Sequence, residues 1–300
     1  MSKNLIGLLA AGLTLALAFV VPVASVAAAE PAISLNGKAI PYSIWHRLVM
    51  PGETLRLKLP EGYSAEVNGE AVWWSSWTAP DTAGNRTMKI FDAEDREVAQ
   101  ITLFILKPTK EIDDRGYLEG YRIGHYPRNT PKGLIRLDRE DMHLPISPTL
   151  TIGQFICKQQ MSHYPKFLLV SEPNILRLEA LLTELRKEGI TDAEQFFVMS
   201  GYRTPFYNTA IGSARLSRHM FGDASDIYID VAPRDGVMDD LNGDNRIDKR
   251  DADFLYDFAA ELFSRRTDLP RGGLGAYRAN AFHGPFLHID GRGKRARWGR

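Results

Sequence analysis

The chain has 300 residues, sets 37 Lys and Arg against 37 Asp and Glu, and contains one cysteine. A sequence pI of about 7.1 leaves no basic excess to suit nucleic acid or an anionic membrane face. Cys157 cannot close an internal disulfide, so the core must hold the fold unaided; its apolar neighbours Phe155 and Ile156 mark it as a core thiol.

Residues 1–29 read as a secretory signal. Lys3 supplies the positive start, residues 5–23 form a long apolar run, and Ala27-Ala28-Ala29 offers small residues suited to cleavage. The run is also long enough for an uncleaved anchor, but the small-residue ending favours removal, and no cysteine follows it for lipid attachment. The expectation is a protein secreted across the inner membrane into the periplasm, with no stable membrane insertion once the signal is removed. About 270 residues then remain, enough for one to two domains.

From residue 30 to 108 the pattern is β. Leu55, Leu57 and Leu59 alternate with Arg56 and Lys58, and further strand-like runs fall at residues 87–91 and 98–106. Turn signals separate them at Pro51-Gly52, Asn68-Gly69 and Pro80-Asp81-Thr82-Ala83-Gly84. Turns about every ten residues predict a small β-sandwich-like domain. Trp73, Trp74 and Trp77 would suit carbohydrate stacking, but one or two of three clustered tryptophans are expected to face inward, and scaffolding is the default role.

Residues 109–148 are rich in Gly, Pro, Tyr and charge, too aromatic for a disordered linker. They are expected to form an ordered connector against the C-terminal domain, with His125 and His143 as surface residues that could approach its cleft. The clearest helix covers residues 171–188, where Ile175, Leu178, Leu182 and Leu185 form one stripe and Gly189 is the stop. A strand over residues 196–199 should follow.

That strand leads into Ser200-Gly201-Tyr202-Arg203 and then Ser217-Arg218-His219-Met220-Phe221-Gly222-Asp223-Ala224-Ser225-Asp226. His219 and Asp226 are seven positions apart, off register for one helix face or one strand face. They meet only if the glycine-containing loop folds back, and a zinc ion suits that pair of donors. A third ligand must come from elsewhere. His288 is the best supplier, because a strand over Phe286-Leu287-His288-Ile289-Asp290 sets His288 and Asp290 on one face. Two His and one Asp with a position left for water is a catalytic rather than a structural zinc pattern.

Between these segments, residues 240–251 place oxygen donors at Asp240, Asn242, Asp244, Asp248 and Asp251, with a backbone carbonyl at Arg246. This is EF-hand calcium spacing. It resembles a single dockerin-type loop, with Asn245 in place of the turn glycine and Asp251 in place of the bidentate Glu. A helix over residues 252–265 should exit it. Bound calcium would stiffen the insertion between Asp226 and His288.

The Ser-x-His-x-x-Gly-x-Ala-x-Asp string at 217–226, with the later His288-x-Asp290, resembles the zinc D-Ala-D-Ala carboxypeptidases and related murein peptidases that share the hedgehog-type fold. The resemblance covers residues 146–298. It implies an α+β architecture: a zinc peptidase domain with an antiparallel sheet over residues 149–300, carrying the 240–251 insertion. It matches His219, Asp226 and His288 to the zinc ligands, sets Ser217 beside them as a substrate contact, and gives Arg203 the role of gripping the substrate. It further implies hydrolysis of D-amino-acid peptide bonds in peptidoglycan peptides, as a carboxypeptidase or an endopeptidase. Several members place an acidic base three positions before the last ligand, where this chain has Pro285. His283 is the preferred substitute base, ahead of Asp223 and Asp290, and Asp290 otherwise orients a ligand. The alternative expectation is a non-catalytic, zinc-containing peptidoglycan-binding module that has lost the base.

Overall fold

Alternation decides the N-terminal architecture. In Thr54–Lys58 the two leucines are buried while Thr54, Arg56 and Lys58 are exposed. That strand lies in a four-stranded antiparallel sheet, in the order Lys38–Ala39, Ser34–Leu35, Thr54–Lys58, Ser76–Thr78. A second sheet runs Ile44–Val49, Glu97–Ile105, Gly84–Phe91, Ser64–Val67, Glu70–Ala71, with its first pair parallel and the others antiparallel. Leu35, Leu55, Leu57, Met88, Ile90, Ile101 and Leu103 form one apolar core shared by both sheets. The Asn68-Gly69 hairpin turn holds both residues at positive φ, 50° and 83°, the backbone that joins twisted strands with two residues.

The structure is a computed structural model of the chain and describes residues 33–231 and 233–300. The signal expected over residues 1–29 lies outside the described residues. Among these, no helix is long and apolar enough to cross a membrane.

The second sheet also has a buried outer face. Trp45 and Phe104 point away from the first core into a larger one that includes Leu118, Tyr121, Ile123, Leu134 and Ile135. Thr102 donates to the Pro145 carbonyl at 2.7 Å, and His46 Nδ1 donates to the Ile146 carbonyl at 2.7 Å. Residues 109–148 are thus ordered and folded into the larger core. Lys107–Pro108 pairs with Gly133–Leu137, which in turn pairs with Lys166–Leu168.

The helix expected over residues 171–188 spans Glu172–Lys187. The Ser171 side chain caps it by accepting from the Asn174 N–H, and Pro173 sits in its first turn, where a missing N–H is harmless. Ile175, Leu178, Leu182 and Leu185 are all buried, as the stripe predicts. They face a five-stranded sheet in the order Phe197–Ser200, Ala224–Tyr228, Phe286–Asp290, Gly273–Tyr277, Ala296–Trp298. The first three pairings are antiparallel and the last is parallel. Ile227, Leu287, Ile289 and Leu274 turn to the core, so period two sends Asp226 and His288 to the opposite face.

Candidate metal centre

Register brings the first two donors together. Asp226 is directly opposite His288 in the antiparallel pair, where opposed side chains stand about 5 Å apart. His219 arrives on the short turn Arg218–Phe221, which ends at Gly222 with φ 65°. A Cβ on Gly222 would lie 2.3 Å from the Leu169 carbonyl, so only glycine folds the loop back there.

One ligand atom from each of His219, Asp226 and His288 lies within 4.8 Å of the other two, and all three residues are buried. His219 Nε2 stands 3.3 Å and His288 Nδ1 2.8 Å from Asp226 Oδ1. The outer atoms are held as well. The Gly201 carbonyl, 2.7 Å from His219 Nδ1, can only accept; this puts the proton on Nδ1 and leaves the Nε2 lone pair for a metal. Asp290 Oδ2 sits 3.2 Å from His288 Nε2 and fixes the opposite tautomer on that ring. Arg203 Nη2 donates to Asp226 Oδ2 at 2.5 Å. Two nitrogens and one carboxylate oxygen, each with its second polar atom anchored, fit zinc.

The three groups shift one another's proton affinity. Burial lowers the His219 pKa, opposed in part by Asp226. Burial by itself would raise Asp226, yet His219 and His288 outweigh it and hold the carboxyl well below the usual range. Burial would lower His288, but its hydrogen bonds to Asp226 and Asp290 prevail and raise it.

The triad opens onto a cleft of about 380 Å³ lined by Arg203, Ser217, Arg218, Tyr277, Phe286, Arg292 and Trp298, with Arg292 lying over the Trp298 ring. A larger cavity, about 620 Å³, runs beside Phe197–Ser200 but contains no member of the triad. Ser217 lines the cleft that holds the triad. Arg203 lines the cleft too, but its Nε donates to Ser200 Oγ at 2.8 Å and its Nη2 is spent on Asp226, so it orients a ligand as well as facing the substrate space.

His283 is not where the base was expected. Its Nε2 lies 2.8 Å from Asn280 Nδ2 and its Nδ1 2.8 Å from the Gly284 carbonyl. Its ring packs edge-on against Phe286, and it is not among the residues lining the cleft. The substitutes are also committed. Asp223 accepts from Ser171 and Arg218, and Asp290 from Gly273, Arg292 and His288. Asp290 thus takes the orienting role. Asp226 is the only carboxylate lining the cleft among the described residues. His125 and His143 are exposed and outside it.

The calcium expectation finds no support. Asp240 accepts from the N–H groups of Gly243, Asp244 and Asn245, and Asn242 accepts from Asp244. Asp244 accepts from the Arg246 N–H, and Arg250 reaches both Asp244 and Asp248. Asp248 and Asp251 form a capping box at the start of Lys249–Arg265, which therefore begins three residues earlier than predicted. Among the described residues, only the His219–Asp226–His288 group gathers three such donors. Of the three tryptophans, Trp77 packs against the N-terminal core, while Trp73 and Trp74 are 73% and 97% exposed. Cys157 is buried and free.

Tyr277, Trp298, Arg218 and Arg292 were missed by the sequence reading. Trp298 enters the cleft only through the parallel pairing of Ala296–Trp298 with Gly273–Tyr277, and Gly275 makes room for its ring. Glycine at 275 inside a strand is the one local signal of that close approach.

Comparison with known proteins gives one finding. The model of the family Peptidase M15 matches residues 150–241, a span that includes His219 and Asp226 and stops short of His288. Neither the curated proteins nor the solved structures yielded a match. The match supports a peptidase, and the clustered His-Asp-His donors make it a plausible metallopeptidase.

Proposed function

We propose that this chain is a zinc-dependent peptidase that hydrolyses D-amino-acid peptide bonds of peptidoglycan after export to the periplasm. The observation that carries the reading is the convergence of His219, Asp226 and His288 from three separate segments, each with its second polar atom held. Zinc held by these three would acidify a bound water and polarise the scissile carbonyl. The protein supplies the rest. The Gly201 carbonyl and Asp290 fix the two imidazole tautomers, and Arg203 restrains Asp226. Guanidinium groups of Arg203, Arg218 and Arg292 line the cleft, each ion-paired with Asp226, Asp223 or Asp290, and their remaining N–H donors suit the carbonyl and carboxylate oxygens of a peptide. Tyr277, Phe286 and Trp298 offer an apolar wall to its aliphatic parts. Balanced net charge supports a peptide over a nucleic acid as partner, and the export reading rests on residues 1–29.

The test is incubation of zinc-loaded protein with D-Ala-D-Ala-ended stem peptides and with cross-linked muropeptides, products being separated by chromatography and mass spectrometry. Release of D-Ala or scission of the cross-link is expected, with His219→Ala and Asp226→Ala losing both zinc and turnover. Intact peptides in the presence of bound zinc would overturn catalysis. That outcome would favour a second reading, a non-catalytic zinc-containing peptidoglycan-binding module. Its specific support is Pro285 at the position where the resemblance puts the base, with His283 tied into its own turn.

A further inference from the structure

On the helix side of the metal sheet, a cavity of about 330 Å³ shares no lining residue with the triad cleft. Five of its lining residues are arginines, Arg177, Arg266, Arg271, Arg295 and Arg297, and none is acidic. We propose that this cavity is a binding site for a phosphate-type oxyanion.

Three observations carry the assignment. The first is unmet hydrogen-bonding capacity: the Nε atoms of Arg177 and Arg297 are buried and unpartnered. Arg177 is 1% exposed as a residue. A buried donor left unpaired costs about 1–3 kcal/mol, more when it is charged, and a negative charge in the cavity lowers that cost electrostatically. The second is uncompensated charge. Arg266 is neutralised by Asp268. Among the described residues, the guanidinium groups of Arg271 and Arg295 have no hydrogen-bond partner. Those of Arg177 and Arg297 meet only backbone carbonyls, of Pro270, Gly273, Gly272 and Ala296. Burial, with Arg297 close by, pushes the Arg177 pKa down to about 10, with Asp290 and Asp223 opposing only in part. The third is shape. The Arg177 guanidinium carbon sits over the Phe263 ring, 3.8 Å from its centroid, and both residues line the cavity.

The surplus selects the ligand class. Four arginines without a carboxylate exceed what a single carboxylate can balance. A phosphate group carries roughly −1.5 to −2 at neutral pH with three strong acceptor oxygens, and it matches the guanidinium fork. The group could be a free ion or the phosphate of an organic molecule; both present the same chemistry.

Arg271 and Arg295 are the residues to change, because both are exposed. Arg177 also holds the Gly273 carbonyl, whose N–H binds Asp290, so altering it would disturb the metal centre. Zinc-loaded protein, free of excess zinc, is titrated with inorganic phosphate and with glycerol 3-phosphate in about 150 mM sodium chloride, where screening acts beyond ~8 Å. Calorimetry and Tm are the readouts, with acetate at equal ionic strength as control. Saturable phosphate binding that raises Tm is expected, weakened roughly tenfold or more in R271Q/R295Q by the loss of two charge-assisted contacts. Tighter glycerol 3-phosphate binding would support the site and mark an organic source, and tighter inorganic phosphate would support it with the free ion as ligand. A Tm that is unmoved, or moved equally by acetate, overturns the site. So does phosphate binding that R271Q/R295Q leaves intact, since that places the anion on zinc or elsewhere. Circular dichroism and zinc content confirm that the variant is folded.

Discussion

Replacing Asp290 by Asn tests the metal centre without touching a ligand. Asp290 is fully buried. Its Oδ1 accepts from the Gly273 N–H at 2.9 Å, and its Oδ2 faces His288 Nε2 at 3.2 Å and Arg292 Nη2 at 2.5 Å. An Asn can keep the Gly273 bond, but its amide nitrogen must then point at two donors. His288 relieves the clash by moving its proton from Nε2 to Nδ1, and Nδ1 is the atom turned toward Asp226 and the metal position. The wrong tautomer therefore withdraws a zinc ligand. Loss of such an orienting partner lowers metal affinity about 10–100-fold, which corresponds to about 1.4–2.7 kcal/mol. Competition against a chromophoric chelator measures it, alongside circular dichroism to verify the fold. Zinc affinity in Asp290→Asn within about twofold of the parent would refute the tautomer argument.

Other consequences are as direct. Arg203→Lys keeps a charge but loses the fork that spans Ser200 and Asp226. Peptide turnover should fall by about tenfold or more, as for a lost charge-assisted hydrogen bond of about 1.5–3 kcal/mol, and steady-state kinetics on a folded variant checks it. His46 is buried, and burial pushes its pKa from 6.5 down to about 4 despite the Ile146 carbonyl. Its neutral form is favoured in the folded state, so this stability is present above pH 6.5 and is lost as pH falls toward 4, by about 3 kcal/mol. Urea midpoints at pH 7 and pH 4.5 should show that loss, and His46→Gln should lack it. A Cβ at Gly275 would lie 2.1 Å from Trp298 Nε1, so Gly275→Ala should destabilise by about 1–3 kcal/mol and lower Tm.

Legibility followed how locally each feature is specified. His219 and Asp226 could be read from one ten-residue string because Gly222 alone, through its left-handed backbone and the Leu169 carbonyl beside it, dictates the fold-back. His288 needed one further step, the alternation of a strand, and the antiparallel register with Ala224–Tyr228 then sets it opposite Asp226. The helix stripe of Ile175 to Leu185 was visible for the same reason, a short period repeated. Residues 248–251 show how one spelling can serve two roles. An Asp followed three positions later by another Asp fits both the end of a calcium loop and a helix capping box, and both carboxylates here accept backbone N–H groups at the start of Lys249–Arg265. His283 misled through proximity in sequence: the strand begins only at Phe286, and Asn280 closes the preceding turn onto the histidine before it can reach the cleft.

The walls of the cleft had no such spelling. Trp298 lies ten residues beyond His288 and reaches the metal face only because a parallel strand docks on Gly273–Tyr277. The cleft's arginines, Arg203, Arg218 and Arg292, come from three separate segments. Coordination demands fixed atoms at short range, so its residues must sit on a tight turn and on paired strands, where sequence pattern is most informative. Recognition of a substrate asks only that charge and apolar surface face the same space, and any segment the topology delivers there can provide them. The part of this chain that defines chemistry is therefore written compactly, and the part that chooses the peptide is distributed. Substitutions at Tyr277, Trp298 or Arg218 should accordingly alter which peptide is taken while zinc binding by His219, Asp226 and His288 persists.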